Sequence, residues 1–204
     1  MTSTLAWPRV RQDAYVGVIE DQELVAGAQA GDEAAFEELV RRHADRLHAV
    51  VRRLVDTRHE AEDVTQEAFL RAWRAIGRFK GDATFSTWLY RIGVNEAHRR
   101  RERRPGPQRE TSLEEQLVEP REPRPGPALV AQQRALHAAL ERAIAELRPD
   151  LRTPLVLRDI QGLTTAQAAA VMELGEAAFK SRLHRARLTV RAAVAGYLPE
   201  APDV

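Results

Sequence analysis
The sequence contains no cysteine in its 204 residues, which removes disulfide frameworks and thiolate metal sites from consideration. Aromatic residues are scarce, at 5%, so a core must be assembled from Leu, Val, Ile and Ala, a composition that favours helix. No apolar run approaches membrane-spanning length, and the opening MTSTLAWPRVRQDAYVG lacks the apolar centre of a signal peptide. A cytoplasmic protein without membrane insertion is the expectation. Net charge is almost absent as well. Against 31 Lys and Arg stand 30 Asp and Glu, a formal charge of +1, which excludes a bulk polycation. Any nucleic-acid binding must therefore come from local patches. What the chain does have is 44% hydrophobic and 30% charged residues, the balance of a globular protein with large polar faces.

Helical periodicity dominates from Asp21 to about Arg101. Leu24, Phe36, Leu39 and Val40 begin one pattern, and Leu47, Val50, Val51 and Leu54 give the next. Glu60–Ile76 reads as a third helix and Thr87–Arg101 as a fourth. Between those two, GRFKGDATFST holds two glycines and several turn formers and is expected to be a loop. The segment RRPGPQRETSLEEQLVEPREPRPGPALV carries six of the eleven prolines and reads as a flexible linker. Helix returns from Ala131 to about Tyr197. The expectation is an all-α chain of two small helical domains on a tether. Its parts are a tail at 1–19, a first domain at 20–103, a linker at 104–131, a second domain at 132–198 and a tail at 199–204.

Within FKSRLHRARLTVR, Phe179, Leu183, Ala186 and Val190 form a buried stripe, while Lys180, His184, Arg187 and Arg191 lie on another. Ser181, Arg182 and Arg185 fill the space between. Charge alone would allow an ordinary solvated face. The preceding residues change that balance: Gly162 ends a helix, Thr164 or Thr165 caps the next, and Ala168, Ala169 and Val171 give it a small buried face. After a short Glu-Leu-Gly turn the basic helix begins. This is the helix-turn-helix plan, which sets a second helix in the major groove.

The stretch LRDIQGLTTAQAAAVMELGEAAFKSRLHRARLTVRAAV resembles the promoter-reading C-terminal domain of extracytoplasmic-function sigma factors, group 4 of the sigma-70 family. The resemblance implies a region 4 that reads the −35 element through Glu176, Ala177, Lys180, Ser181, His184 and Arg185. Arg182 and Arg187 match positions nearer the DNA backbone or the β flap of RNA polymerase. The family commonly has Gly where Glu173 stands, and a non-Gly residue at positive φ carries a penalty, so a shift of the turn toward Gly175 is open.

On EAEDVTQEAFLRAW, Val64, Ala68 and Ala72 follow one side, with Asp63, Gln66, Glu67 and Leu70 on another. The sequence EDVTQEAFLRAW resembles the family's core-binding region 2. The resemblance implies that Asp63, Gln66, Glu67 and Leu70 dock on the β′ clamp helices of core RNA polymerase. FKGDATFSTWLYRIGVNEAHRRR resembles the family's −10 reader, which holds an unstacked base in a pocket with an apolar wall and an amide. That assigns Phe79, Lys80, Gly81 and Asp82 to the pocket loop, Asn95 to its base, and Trp88 and Tyr90 to its aromatic side. Trp88 matches the first of two adjacent tryptophans in housekeeping relatives, and Leu89 stands at the second. Arg99 and Arg100, within HRRRERR, would hold phosphates. Phe85, Leu89 and Ile92 read as packing residues.

No catalytic constellation, metal-ligand spacing or phosphate-binding glycine loop occurs, so no enzyme activity, metal or cofactor is expected. The family reading implies promoter DNA, core polymerase and an anti-sigma factor as partners. The acidic TSLEEQLVEP could thread the polymerase or could simply set the spacing of the domains. The rival reading is a helix-turn-helix repressor or activator that binds duplex DNA alone as a dimer. It explains the second domain but leaves the two motifs of the first unexplained.

Overall fold
A computed structural model describes residues 17–103 and 127–197. The expected linker core, residues 104–126, and the outermost tails, 1–16 and 198–204, lie outside the described residues. The rest is helical, with no strand among the described residues.

The first group has four helices. Helix α1 spans Gly17–Gln29 and ends where Gly31 takes φ +94°. Asp32 then caps α2, Glu33–Arg52, by accepting from the amides of Ala34 and Ala35. Phe36, Leu39, Leu47, Val50 and Val51 therefore share one twenty-residue helix, whereas the sequence pattern had divided them between two. Leu24 belongs to α1. A continuous 3.6-residue stripe gives no local signal of a break, and none occurs.

Thr57 and Glu60 form a reciprocal capping box that opens α3, Arg58–Ala75. A 3₁₀ turn over Ile76–Arg78 leads into a loop at 79–84. Thr84 accepts from the Thr87 amide and starts α4, Phe85–Glu102, two residues earlier than periodicity suggested. Leu39, Leu47, Val50, Val64, Leu89 and Val94 are almost fully buried where α2, α3 and α4 meet. Gly93 is the point of closest approach: a Cβ there would lie 2.7 Å from Leu47 Cδ1.

The second group begins with α5, Pro127–Glu146, so helix starts earlier than the expected linker boundary at 131. Helix α6, Pro149–Leu155, runs into a π-helical turn at Val156–Ile160, just after Pro154, which has no amide to donate. Arg152 is buried, and its guanidinium donates to the carbonyls of Ala145 and Leu147, satisfying acceptors at the end of α5. Helix α7, Thr165–Val171, opens on a capping box between Thr164 and Gln167. Glu173, at φ +54°, and Gly175, the N-cap, carry the chain into α8, Glu176–Ala193. A last 3₁₀ turn spans Ala195–Tyr197. Phe179 of α8 is fully buried and anchors this core with Leu155, Val156, Leu157 and Val171. The two groups touch: α7 packs on α4, and the buried side chains form one contiguous cluster.

Candidate nucleic-acid and partner interfaces
Burying Val64, Ala68 and Ala72 of α3 turns the opposite side outward. Gln66 is exposed, and Leu70 is 43% exposed, which is unusual for a large apolar side chain in this molecule. Asp63 and Glu67 flank them and are half-buried. Arg100 Nη2 donates to Asp63 Oδ2 at 2.6 Å, and Arg71 Nε donates to Glu67 Oε1 at 2.8 Å. Arg71 Nε also lies 3.1 Å from Glu96 Oε2, tying α3 to α4. The result is a protruding leucine between partly neutralised acids. Such a surface suits a reversible contact, because a small apolar anchor is desolvated while the rim stays polar. Arg100, expected on phosphates, is thus bound to a residue expected on polymerase.

The loop at 79–84 is held by a residue that the sequence reading missed. Gln29 Nε2 donates to the carbonyls of Ile76 and Phe79, at 3.1 and 2.8 Å. No local pattern announces a glutamine that acts across fifty residues. Phe79 packs on Trp88 with ring centroids 5.1 Å apart, and both rings meet Phe85, at 6.3 and 5.8 Å. Beneath them the His43 ring packs at a tilt against Phe85, and its Nε2 lies 2.8 Å from Asp21 Oδ2. Burial lowers the pKa of His43, and Asp21 opposes that shift.

Phe79 and Trp88 are therefore half-buried members of an aromatic cluster with one side open, while Lys80, Gly81 and Asp82 stand exposed beside it. Gly81 takes φ +78°, which a side chain would resist. Tyr90 departs from the expectation. It is only 6% exposed, and burial pushes the pKa of its hydroxyl up, so its ring has no face to offer a strand. Asn95 is exposed, and its amide has water available without a dedicated partner. Arg99 is exposed, 3.5 Å from Glu96.

On α8 the buried stripe of Phe179, Leu183, Ala186 and Val190 is as expected. Glu176, Ala177, Lys180, Ser181, His184 and Arg185 are all exposed. Glu173 itself takes the left-handed conformation, so the turn keeps its register and Glu176 is the first helical residue. Lys180 lies 3.3 Å from Glu176, one turn away. Arg187 has a structural task. Its Nε and Nη2 donate to both oxygens of Asp159 at 2.8 and 2.6 Å, and the Asp159 side chain is 7% exposed. These bonds raise the pKa of Arg187 and clamp the π-turn to α8. Arg182 is half-buried and faces a cleft toward α4. Leu188, 53% exposed, adds an apolar residue to the basic helix that sequence reasoning did not single out. The exposed set offers cations, a hydroxyl and an imidazole along one face, the groups that read base edges and phosphates.

Known proteins resemble both segments. Residues 39–105 match the family model Sigma-70 region 2, and residues 137–190 match Sigma-70, region 4. The RNA polymerase sigma-H factor of Pseudomonas aeruginosa is 36% identical over 188 residues, covering 89% of this chain and 97% of the relative. The ECF RNA polymerase sigma-E factor of Escherichia coli K12 is 35% identical over 175 residues, covering 83% and 91%. Among solved structures, CnrH in complex with the cytosolic domain of CnrY aligns with a TM-score of 0.65 at 29% identity, covering 87% of this chain and 98% of that one.

Proposed function
This chain belongs to the extracytoplasmic-function sigma factors of the sigma-70 family, and from that premise we propose how its helices divide the work of a promoter-directing subunit. As a sigma factor it binds core RNA polymerase and directs it to promoters. The observation that supports this division of labour is that the two matched segments expose chemically different faces, polar with a leucine on α3 and basic on α8.

In this reading Gln66 and Leu70 make the contact with the β′ clamp helices, with Asp63 and Glu67 as its charged rim. The open side of the Phe79–Trp88 cluster receives a base of the −10 strand. Lys80, Gly81 and Asp82 frame it, and Asn95 and Arg99 continue the track along α4. Unstacking one base costs a few kcal/mol, which stacking on an aromatic ring largely offsets, at about 1–3 kcal/mol per base. Lys180, Ser181, His184 and Arg185 enter the major groove of the −35 element, with Glu176 and Ala177 at the helix start. Arg182 faces the backbone or the flap.

The chain supplies specificity, and the polymerase supplies the chemistry. We place its work in the cytoplasm, where the polymerase is. An anti-sigma factor that covers these faces until a signal arrives completes the proposal. No helix among the described residues is long and apolar enough to cross a membrane.

The deciding experiment is a pull-down and run-off assay with purified bacterial core polymerase, comparing the natural chain with Gln66→Ala plus Glu67→Ala. Core binding and discrete start sites, both weakened by the double substitution, support the reading. A chain that ignores core yet shifts duplex DNA alone as a dimer would overturn it in favour of a stand-alone repressor.

A further inference from the structure
The loop assigned to the −10 strand has little support of its own. Residues 79–84 join the 3₁₀ turn to α4, and Lys80, Gly81, Asp82 and Ala83 are all exposed. The Phe79 amide donates to the Ile76 carbonyl at 3.0 Å, which closes the turn. Among the described residues, Gln29 is the one side chain from outside the loop that hydrogen-bonds to residues 79–83. Its Nε2 carries two protons, and its two partners, the carbonyls of Ile76 and Phe79, can only accept. The NH₂ rather than the oxygen must therefore face the loop, with one proton for each bond.

The Gln29 backbone is firmly seated. Val25 and Ala28 are buried and pin the last turn of α1 in the core. At Gly27 a Cβ would stand 3.0 Å from Ala35 Cβ, and the Asp32 amide donates to the Gly27 carbonyl at 3.0 Å, so α1 and α2 are locked together here. The other end of α1 serves the same aromatic cluster, because Asp21 holds the His43 ring at 2.8 Å beneath Phe85. Gln29 itself is exposed, and hydrogen bonds near the surface add little to the folding of a core. Both amide protons are nevertheless committed to carbonyls 47 and 50 residues away. Such bonds do more to place a loop than to stabilise a domain.

We propose that Gln29 is a positioning residue for −10 recognition: its two bonds fix the backbone at Ile76 and Phe79, hold the Phe79 ring against Trp88 with one side open, and so set which base the loop accepts. The inference rests on the assignment of the 79–84 loop to the −10 strand. It makes α1, which lies before the segment 39–105 matched by Sigma-70 region 2, part of the reading apparatus.

The test uses the full chain with bacterial core polymerase on a promoter located by the run-off assay, with each −10 base pair exchanged in turn. The readout is base preference, the ratio of transcript from the natural base to that from the exchanged one. Gln29→Ala should lower this ratio roughly tenfold at the base beside Phe79, the effect of one or two net hydrogen bonds. Melting temperature and core pull-down should stay as in the natural chain. Gln29→Glu has the same shape but turns acceptors toward two carbonyls, so it should lower the ratio at least as far. Gln29→Lys, which brings donors back, should recover part of it. A space-filling role predicts the reverse order, with Gln29→Glu nearest the natural chain. A change of charge alone alters affinity for every sequence alike and leaves the ratio untouched. Because Gln29 acts through Phe79, Gln29→Ala added to Phe79→Ala should cost nothing further. The proposal is overturned if Gln29→Ala keeps the natural ratio, if Gln29→Glu stays nearest to natural, or if the two losses multiply. It is also overturned if Gln29→Ala lowers core binding and melting temperature, since Gln29 would then be a brace of the whole domain. When Phe79→Ala flattens the preference and Gln29→Ala does not, only this inference is lost. If Phe79→Ala leaves every preference intact, or the natural chain starts at no discrete site, the reading of the loop fails and takes the inference with it.

Discussion

Glu173 and Arg187 show how far single side chains are committed inside the fold. A residue such as Glu173 at φ +54° pays roughly 1 kcal/mol against glycine. Glu173→Gly should therefore stabilise the second group by about 1 kcal/mol in urea denaturation followed by circular dichroism. An unchanged midpoint would mean the turn is unstrained. Arg187 sits on the basic face by sequence, but its fork is filled by Asp159. Arg187→Ala should cost about 1–3 kcal/mol of stability, because it strands a buried carboxylate. It should also leave the salt dependence of duplex binding nearly unaltered. Arg185, exposed and without such a partner in its hydrogen bonding, should behave oppositely. Arg185→Ala is expected to leave stability unchanged and to reduce the slope of log K against log salt by about 0.9. Sequence pattern placed both arginines on the same surface. Only the carboxylate from the π-turn, 28 residues away, separates them.

At the scale of elements, starts were easier to read than company. The helix-turn-helix was legible because its signals are local: Gly162 at φ +73°, the Thr164–Gln167 capping box, and the alanine face of α7. The α3 start was read two residues late, at Glu60, because the Thr57 cap was not recognised; Thr57→Ala should cost about 1 kcal/mol by removing that cap. The crossing of α2 and α4 was not legible. Gly93 in a helix reads as a weakness by propensity, yet it is where Leu47 comes within 2.7 Å of a would-be Cβ. Gly93→Ala improves helix propensity but should destabilise the first group by about 1–3 kcal/mol through overpacking. A stabilised variant would show that Leu47 moves aside freely. Tyr90 belongs to the same lesson. Whether an aromatic ring on α4 faces a strand or the core depends on which neighbours press on that helix, and α4 is pressed from both groups.

For the whole molecule, the His98–Thr153 contact between α4 and α6 makes stability sensitive to pH. His98 sits among Arg101 and Glu102 of its own helix, Asp150 and Thr153 of α6, Met172 just after α7 and Arg182 of α8. Burial lowers its pKa below the ordinary 6.5, with Glu102 opposing and Arg101 assisting. A histidine with a depressed pKa takes up a proton more readily once it is released. The contribution of this contact to stability is thus fully present above about pH 6.5 and is lost as pH falls through that value toward the lowered pKa. The melting temperature should decline over that window. His98→Gln, which keeps a donor to Thr153 but cannot titrate there, should abolish the decline. His43 titrates in the same direction but inside the first group, so it survives that substitution as a background change in stability. The sequence by itself determined the all-helical class, the helix-turn-helix, the buried stripes and both family segments, because capping, periodicity and motif spacing act within a few turns of chain. The tertiary structure alone decided which exposed charges are free, where Gln29 anchors the loop, and that α4 is packed by both groups. Those outcomes depend on side chains brought together across 28 to 55 residues of sequence, a separation at which local pattern carries no register.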